Sequence, residues 1–94
     1  MLVFDNENAR KDLQKFQLTK QYKKACDYIR DDQYYKVQLK LRKPKSKGIY
    51  QFRISKKYRA FAIKKEQTLF VFEISDHQEN KNLPKKPLFR IFGL

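Results

Sequence analysis

The chain has no tryptophan, one cysteine, one histidine, two glycines and three prolines, and not one acidic residue between Asp32 and Glu66. Each shortage excludes something. A lone thiol, Cys26, cannot form a disulfide within the chain, and one His with one Cys falls short of a zinc ligand set, so no metal or other cofactor is expected. Gly48 and Gly93 are too few and too far apart for a glycine-rich loop that cradles phosphates. No apolar run approaches the ~18 residues that span a bilayer, and the opening Met1-Leu2-Val3-Phe4 gives way at once to Asp5-Asn6-Glu7. Neither a membrane span nor a signal peptide is expected, and the reducing cytoplasm is the default compartment for a single free cysteine.

What the 94 residues do contain is aromatic bulk and charge of one sign: eight Phe and six Tyr, and 23 Lys plus Arg against 10 Asp plus Glu, a formal net charge of +13. A domain this small buries only ~60 to 65% of the surface of its unfolded chain, so the aromatic residues must supply much of one core. The charge is unevenly placed. Residues 1–32 carry seven basic and six acidic side chains and residues 66–94 carry four of each, so the remaining twelve cations all fall in residues 33–65. They include Lys40, Arg42, Lys43, Lys45, Lys47, Arg53, Lys56, Lys57 and Arg59. Such a stretch attracts a polyanion. Nucleic acid is the first candidate, because neutralising phosphates releases counterions; an anionic membrane, an acidic protein or a merely solvated surface are the alternatives.

Periodicity divides the chain. Leu2-Val3-Phe4 reads as a short strand, with Asp5 or Asn6 capping a helix in which Ala9, Leu13 and Phe16 share one face. Thr19 is a plausible cap for a second helix with the stripe Tyr22, Ala25, Cys26 and Ile29, ending at Asp31-Asp32. Cys26 lies on that stripe and reads as core. From about Tyr35 the period becomes two, with Val37, Leu39 and Leu41 alternating with polar residues up to the basic loop Lys43 to Gly48. Three strand-like runs follow, Ile49 to Ser55, Tyr58 to Lys65 and Thr68 to His77, joined by links short enough for hairpins. The expected fold is α+β: an N-terminal strand and a helical hairpin packed on an antiparallel meander.

Alternation along each strand assigns the faces. Tyr50, Phe52 and Ile54 are expected against the helices, with Gln51, Arg53 and Ser55 opposite. On the last strand Phe70, Phe72 and Ile74 are expected inside, leaving Glu73, Ser75 and His77 with the polar set. On the middle strand Arg59 shares a face with Phe61 and Ile63, which makes that face partly apolar. Residues 83–94, with Pro84 and Pro87 among Leu88, Phe89, Ile91 and Phe92, form a basic and apolar tail to a domain spanning residues 1–82.

The run Gly48-Ile49-Tyr50-Gln51-Phe52-Arg53-Ile54-Ser55-Lys56-Lys57-Tyr58-Arg59, followed by Ile74-Ser75-Asp76-His77, resembles the RelE/ParE superfamily of toxins from bacterial type II toxin–antitoxin modules. The resemblance implies a cytoplasmic toxin silenced by a cognate acidic antitoxin. One branch of the family cuts mRNA in the ribosomal A site; the other poisons DNA gyrase. It also implies roles. Arg59 matches the family's phosphate-contacting Arg after the Tyr, Arg53 a basic position on the preceding strand, and His77 a position where many members keep His. Where members that read Asp-His-x-Glu-x-Tyr end in a catalytic Tyr, this chain has Lys81.

RNA cleavage by attack of the 2′-hydroxyl on the adjacent phosphorus needs a base, cations on the phosphate and an acid for the leaving oxygen. Glu73 or His77 suits the base, His77 or Lys81 the acid, and Arg53 and Arg59 the developing charge, because a guanidinium offers phosphate two parallel hydrogen bonds. Lys40, Arg42, Lys43, Lys45, Lys47, Lys56 and Lys57 would then meet mRNA or ribosomal RNA. The leading expectation is a ribosome-dependent mRNA endonuclease that needs no metal ion. A gyrase inhibitor without nuclease chemistry, favoured by the absent Tyr, and a non-toxic nucleic-acid-binding domain are the alternatives.

Overall fold

The structure, a computed structural model, describes residues 1–76. The order of elements is β1 (Leu2–Asp5), α1 (Glu7–Lys15), α2 (Thr19–Arg30), a short 3-10 turn (Tyr34–Val37), β2 (Lys40–Leu41), a second 3-10 turn (Lys45–Lys47), β3 (Ile49–Arg53), β4 (Tyr58–Lys65) and β5 (Thr68–Asp76). The five strands form one sheet in the order β1-β5-β4-β3-β2, with both helices on one face. The α+β architecture expected from the sequence is present. The meander β2 to β5 is antiparallel, and β1 joins it in parallel beside β5, which makes the sheet mixed.

Local chemistry explains the helical hairpin. Asn6 adopts extended backbone and its side-chain oxygen accepts the Ala9 N–H at 2.9 Å, satisfying one of the donors that open α1. Ala9 and Leu13 of α1, and Tyr22, Ala25, Cys26 and Ile29 of α2, are buried as the 3.6-residue period requires. Phe16 stacks on Tyr58 of β4, with ring centroids 4.7 Å apart, and so ties the end of α1 to the sheet. Cys26 is 3% exposed, and burial pushes its thiol up to about 11, as expected of a packing residue.

Three local expectations give way. Thr19 opens α2 without capping it: the cap position is Leu18, with no side-chain cap hydrogen bond. The run from Tyr35 to Leu41 is mostly not strand: Tyr34–Val37 forms a 3-10 turn that ends at Gln38, whose φ of 54° breaks the extended chain and leaves only Lys40 and Leu41 to pair with β3. Val37 is still buried against the helices, so its apolar position is used, though by a turn. Gly48 has φ 64°, which suits a residue without Cβ at the re-entry from the basic loop into β3.

The third difference lies in β5. Pairing with β4 jumps from Phe61↔Glu73 to Ala62↔Val71, so Phe72 is an extra residue, a β-bulge. The bulge switches the phase of the strand. Leu69 and Val71 face the helices before it and Ile74 does so after it, whereas Phe72 joins Ile49, Phe61 and Ile63 in a second cluster on the other side of the sheet. Phe70 pairs with Ile63 on that side too, and stacks with Phe4 at 6.1 Å. The expectation that Phe70, Phe72 and Ile74 line one face is thus corrected: strict alternation fails at the bulge. The helix side contributes to its stability, because the Asp12 side chain of α1 accepts the Ile74 N–H at 3.1 Å.

Candidate active site

The strand register arranges the face away from the helices in rows. Arg53, Arg59 and Ser75 form one row across β3, β4 and β5; Gln51, Phe61 and Glu73 form the next, which Lys40 extends onto β2. Rows lie two residues apart, about 6.8 Å, and strands about 4.8 Å apart, so Glu73 sits diagonally from Arg59 at ~8 Å between Cα atoms. Strand alternation groups Arg53, Glu73 and Ser75, and the register puts Arg59 on the same face, opposite Arg53 and Ser75.

The two arginines meet at the β3–β4 turn. Arg59 Nη1 donates to the Ser55 carbonyl at 2.9 Å and to the Tyr58 carbonyl at 3.2 Å, while Arg53 Nε donates to the same Ser55 carbonyl at 3.4 Å. The turn is closed by backbone bonds from Ile54 and Ser55 N–H to the Tyr58 carbonyl, and the Ser55 hydroxyl oxygen accepts the Tyr58 N–H at 3.1 Å. Ser55 therefore aims both guanidinium groups, a role that composition and periodicity did not suggest; the short Ile-Ser-Lys-Lys-Tyr link was the available signal. Burial, and then the charge of Arg53 opposite it, hold the Arg59 guanidinium below the usual arginine range. Among the described residues no carboxylate pairs with either arginine. Two half-buried like charges held together, with spare donors, are stabilised by an anion that bridges them.

Lys57 lies at this turn, with its Nζ 3.8 Å from an Asp76 carboxylate oxygen and over the Tyr58 ring; Lys56 is exposed beside it. Arg42 has left the basic loop to lie over Phe61, 5.1 Å from the ring centroid, where it covers the second apolar cluster. Lys43, Lys45 and Lys47 are exposed in the β2–β3 connection, at the opposite end of β3 from the arginine pair, about 14 Å along the strand. The cations thus divide into a pair aimed by the turn and a loose group at the other end of the sheet. His77, Lys81 and the tail at residues 83–94 lie outside the described residues.

Among the described residues no group of three His, Cys, Asp or Glu is placed to hold a metal ion, and no helix is long and apolar enough to cross a membrane. No family model matches the chain, and no curated protein matches it in sequence. In structure it is similar to a copper-bound mutant of a toxin from Helicobacter pylori, with a TM-score of 0.62 and 17% identity over 84% of this chain and 97% of the other. At that identity the likeness establishes the fold, and function has to be argued from the site.

Proposed function

We propose that the chain is the toxin of a toxin–antitoxin pair, of the RelE/ParE kind, and that it cleaves mRNA on the ribosome without a metal ion. The observation that carries the reading is the convergence of Arg53 and Arg59 on the Ser55 carbonyl. A pair of guanidinium groups fixed by the backbone is pre-organised for a phosphodiester, and needs little reorganisation as charge grows on the phosphorane oxygens. The structural likeness to a bacterial toxin and the Gly-x-Tyr-x-x-Arg-Ile and Tyr-Arg pattern of residues 48–59 support the same assignment.

In this reading Arg59 binds the scissile phosphate and Arg53 supports it. Glu73, one row away, takes the proton of the 2′-hydroxyl, or His77 does so. His77 or Lys81 protonates the leaving 5′-oxygen. Lys40, Arg42, Lys43, Lys45, Lys47, Lys56 and Lys57 meet mRNA or ribosomal RNA, and a cytoplasmic acidic antitoxin silences the toxin by occupying the arginine face. Expression without that antitoxin should halt translation. Pulse labelling tests the reading: an early fall in amino-acid incorporation is expected, whereas continued protein synthesis with loss of DNA supercoiling would replace it with gyrase inhibition.

A further inference from the structure

The end of the sheet that carries the arginine pair also carries an aromatic pair, on the other side of the strand. Tyr58 and Arg59 are consecutive on β4, so their side chains leave it on opposite faces. Arg59 points away from the helices. Tyr58 points toward them and stacks on Phe16, just past the last turn of α1, with ring centroids 4.7 Å apart and 25° between the ring planes. The other two stacked pairs among the described residues are looser, Phe4 with Phe70 at 6.1 Å and Tyr22 with Phe52 at 6.3 Å. Lysines lie over both rings. Lys15 Nζ is 5.5 Å from the Phe16 centroid and Lys57 Nζ 5.5 Å from the Tyr58 centroid, so two of the four cation–ring contacts among the described residues fall on this one pair. Both rings are half-buried and both lysines are exposed, which sets the stack at the surface rather than in the core.

We propose that Phe16 and Tyr58 form a stacking platform for an unpaired base of single-stranded RNA, next to the phosphate held by Arg53 and Arg59. The chemistry selects the ligand. A nucleotide brings a flat ring that extends the aromatic stack and a phosphate for the lysine beside it, whereas the carboxylates of an acidic protein bring charge without a stacking face. Lys15 and Lys57 are held over the rings only by cation–ring contact and, for Lys57, by Asp76 at 3.8 Å, so their long stems can swing to a phosphate as a base takes their place. The path between the two sites is short. Lys56 and Lys57 line the β3–β4 turn that joins them, and Arg59 Nη1 donates to the Tyr58 carbonyl at 3.2 Å, so adjacent residues carry the guanidinium and the ring. Every base has a π-face, so the platform grips a single strand without choosing its sequence. The inference deepens the reading above and rests on it for the platform's place beside a cut; the affinity for a single strand does not.

The test uses the whole chain and a uridine hexanucleotide, 2′-O-methylated so that it cannot be cut, with 2-aminopurine placed at each position in turn. Fluorescence should be quenched at one placement, and an abasic nucleotide at that place alone should weaken binding at least about fivefold, the low end of one lost base stack. Phe16→Leu keeps the apolar contact with the sheet but removes a ring. It should weaken binding about tenfold with the slope against salt unchanged, since stacking releases no counterion, whereas Lys57→Ala should lower that slope by about one. The abasic comparison changes the RNA and leaves the protein alone, so it decides where Phe16→Leu does not fold. No quenching at any position, or equal affinity for the abasic strand, overturns the proposal. So does equally tight binding of an RNA duplex or of a peptide of glutamates, because charge alone would then account for the site. Quenching and abasic loss without cleavage of mRNA on ribosomes sink the nuclease reading and leave the platform standing; cleavage on ribosomes with the abasic strand bound as well as the parent does the reverse.

Discussion

Replacing Arg59 by Ala separates a catalytic role from a structural one, because the geometry predicts a large effect on rate and a small one on stability. The substitution removes two hydrogen bonds, to the Ser55 and Tyr58 carbonyls, at a half-buried turn where water can take the guanidinium's place. Each such bond is worth roughly 0.5 to 1.5 kcal/mol net, and relief of the repulsion from Arg53 offsets part of the loss. The expected net cost is about 1 kcal/mol, or about 4 to 8 °C in Tm for a domain of this size. Loss of one pre-organised donor to a developing oxyanion costs ~10² to 10³ in rate. Arg59→Lys keeps the charge without the fork and should fall between the two. The assay is cleavage of a defined mRNA on purified ribosomes, read by primer extension, beside a thermal melt of each variant. In a double-mutant cycle, Arg53→Ala and Arg59→Ala should be less than additive if both arginines hold one phosphate. A folded Arg59→Ala chain that retains half its activity would refute the phosphate-site reasoning, and a fall in Tm beyond about 15 °C would show that Arg59 is chiefly structural.

Three further outcomes are expected. Burial raises the pKa of Asp12 above the usual carboxylate range, against the lowering effects of the Ile74 N–H and Lys15. A carboxyl whose folded pKa is raised contributes stability below its unfolded pKa and loses it as pH rises through the folded value, so Asp12→Asn, which keeps an acceptor for Ile74, should flatten stability against pH just above the ordinary Asp range, whereas Asp12→Ala should cost roughly 1 to 3 kcal/mol by orphaning that N–H. Charge reversal at Lys43, Lys45 and Lys47 should weaken ribosome binding and reduce its salt dependence while leaving the melt nearly unchanged; equal affinity across a salt series would exclude this loop from docking. Cys26, pushed up from 9.0 to about 11, should react with iodoacetamide about a hundredfold more slowly than an ordinary thiol at neutral pH, and modification at the rate of an unfolded control would contradict its buried position.

Sequence by itself determined whatever depends on a residue and its near neighbours. The helices follow from a cap at Asp5 or Asn6 and apolar stripes at 3.6-residue spacing, and the faces of β3 from strict alternation; β4, where Arg59 shares a side with Phe61 and Ile63, fits either phase by pattern alone, and its pairing with β3 is what sets Arg59 beside Arg53. The concentration of cations between Asp32 and Glu66 was equally plain, since charge is counted rather than folded. Pairing between distant segments was not legible, because a strand's own pattern does not state its partner or its register. Tertiary structure decided that β1 joins in parallel beside β5, that the run after Tyr35 spends its apolar residues on a turn beneath α2, and that Phe72 bulges. The bulge is the clearest case. Leu69, Val71, Phe72 and Ile74 are all buried, so hydrophobicity alone offers β5 two phases, and the choice falls to the register with β4 and to the Asp12 carboxylate on Ile74. The same distant pairing brings Ser75 opposite Arg59 and lets the Ser55 turn aim both guanidinium groups, which converts a count of positive charge into a site with a direction.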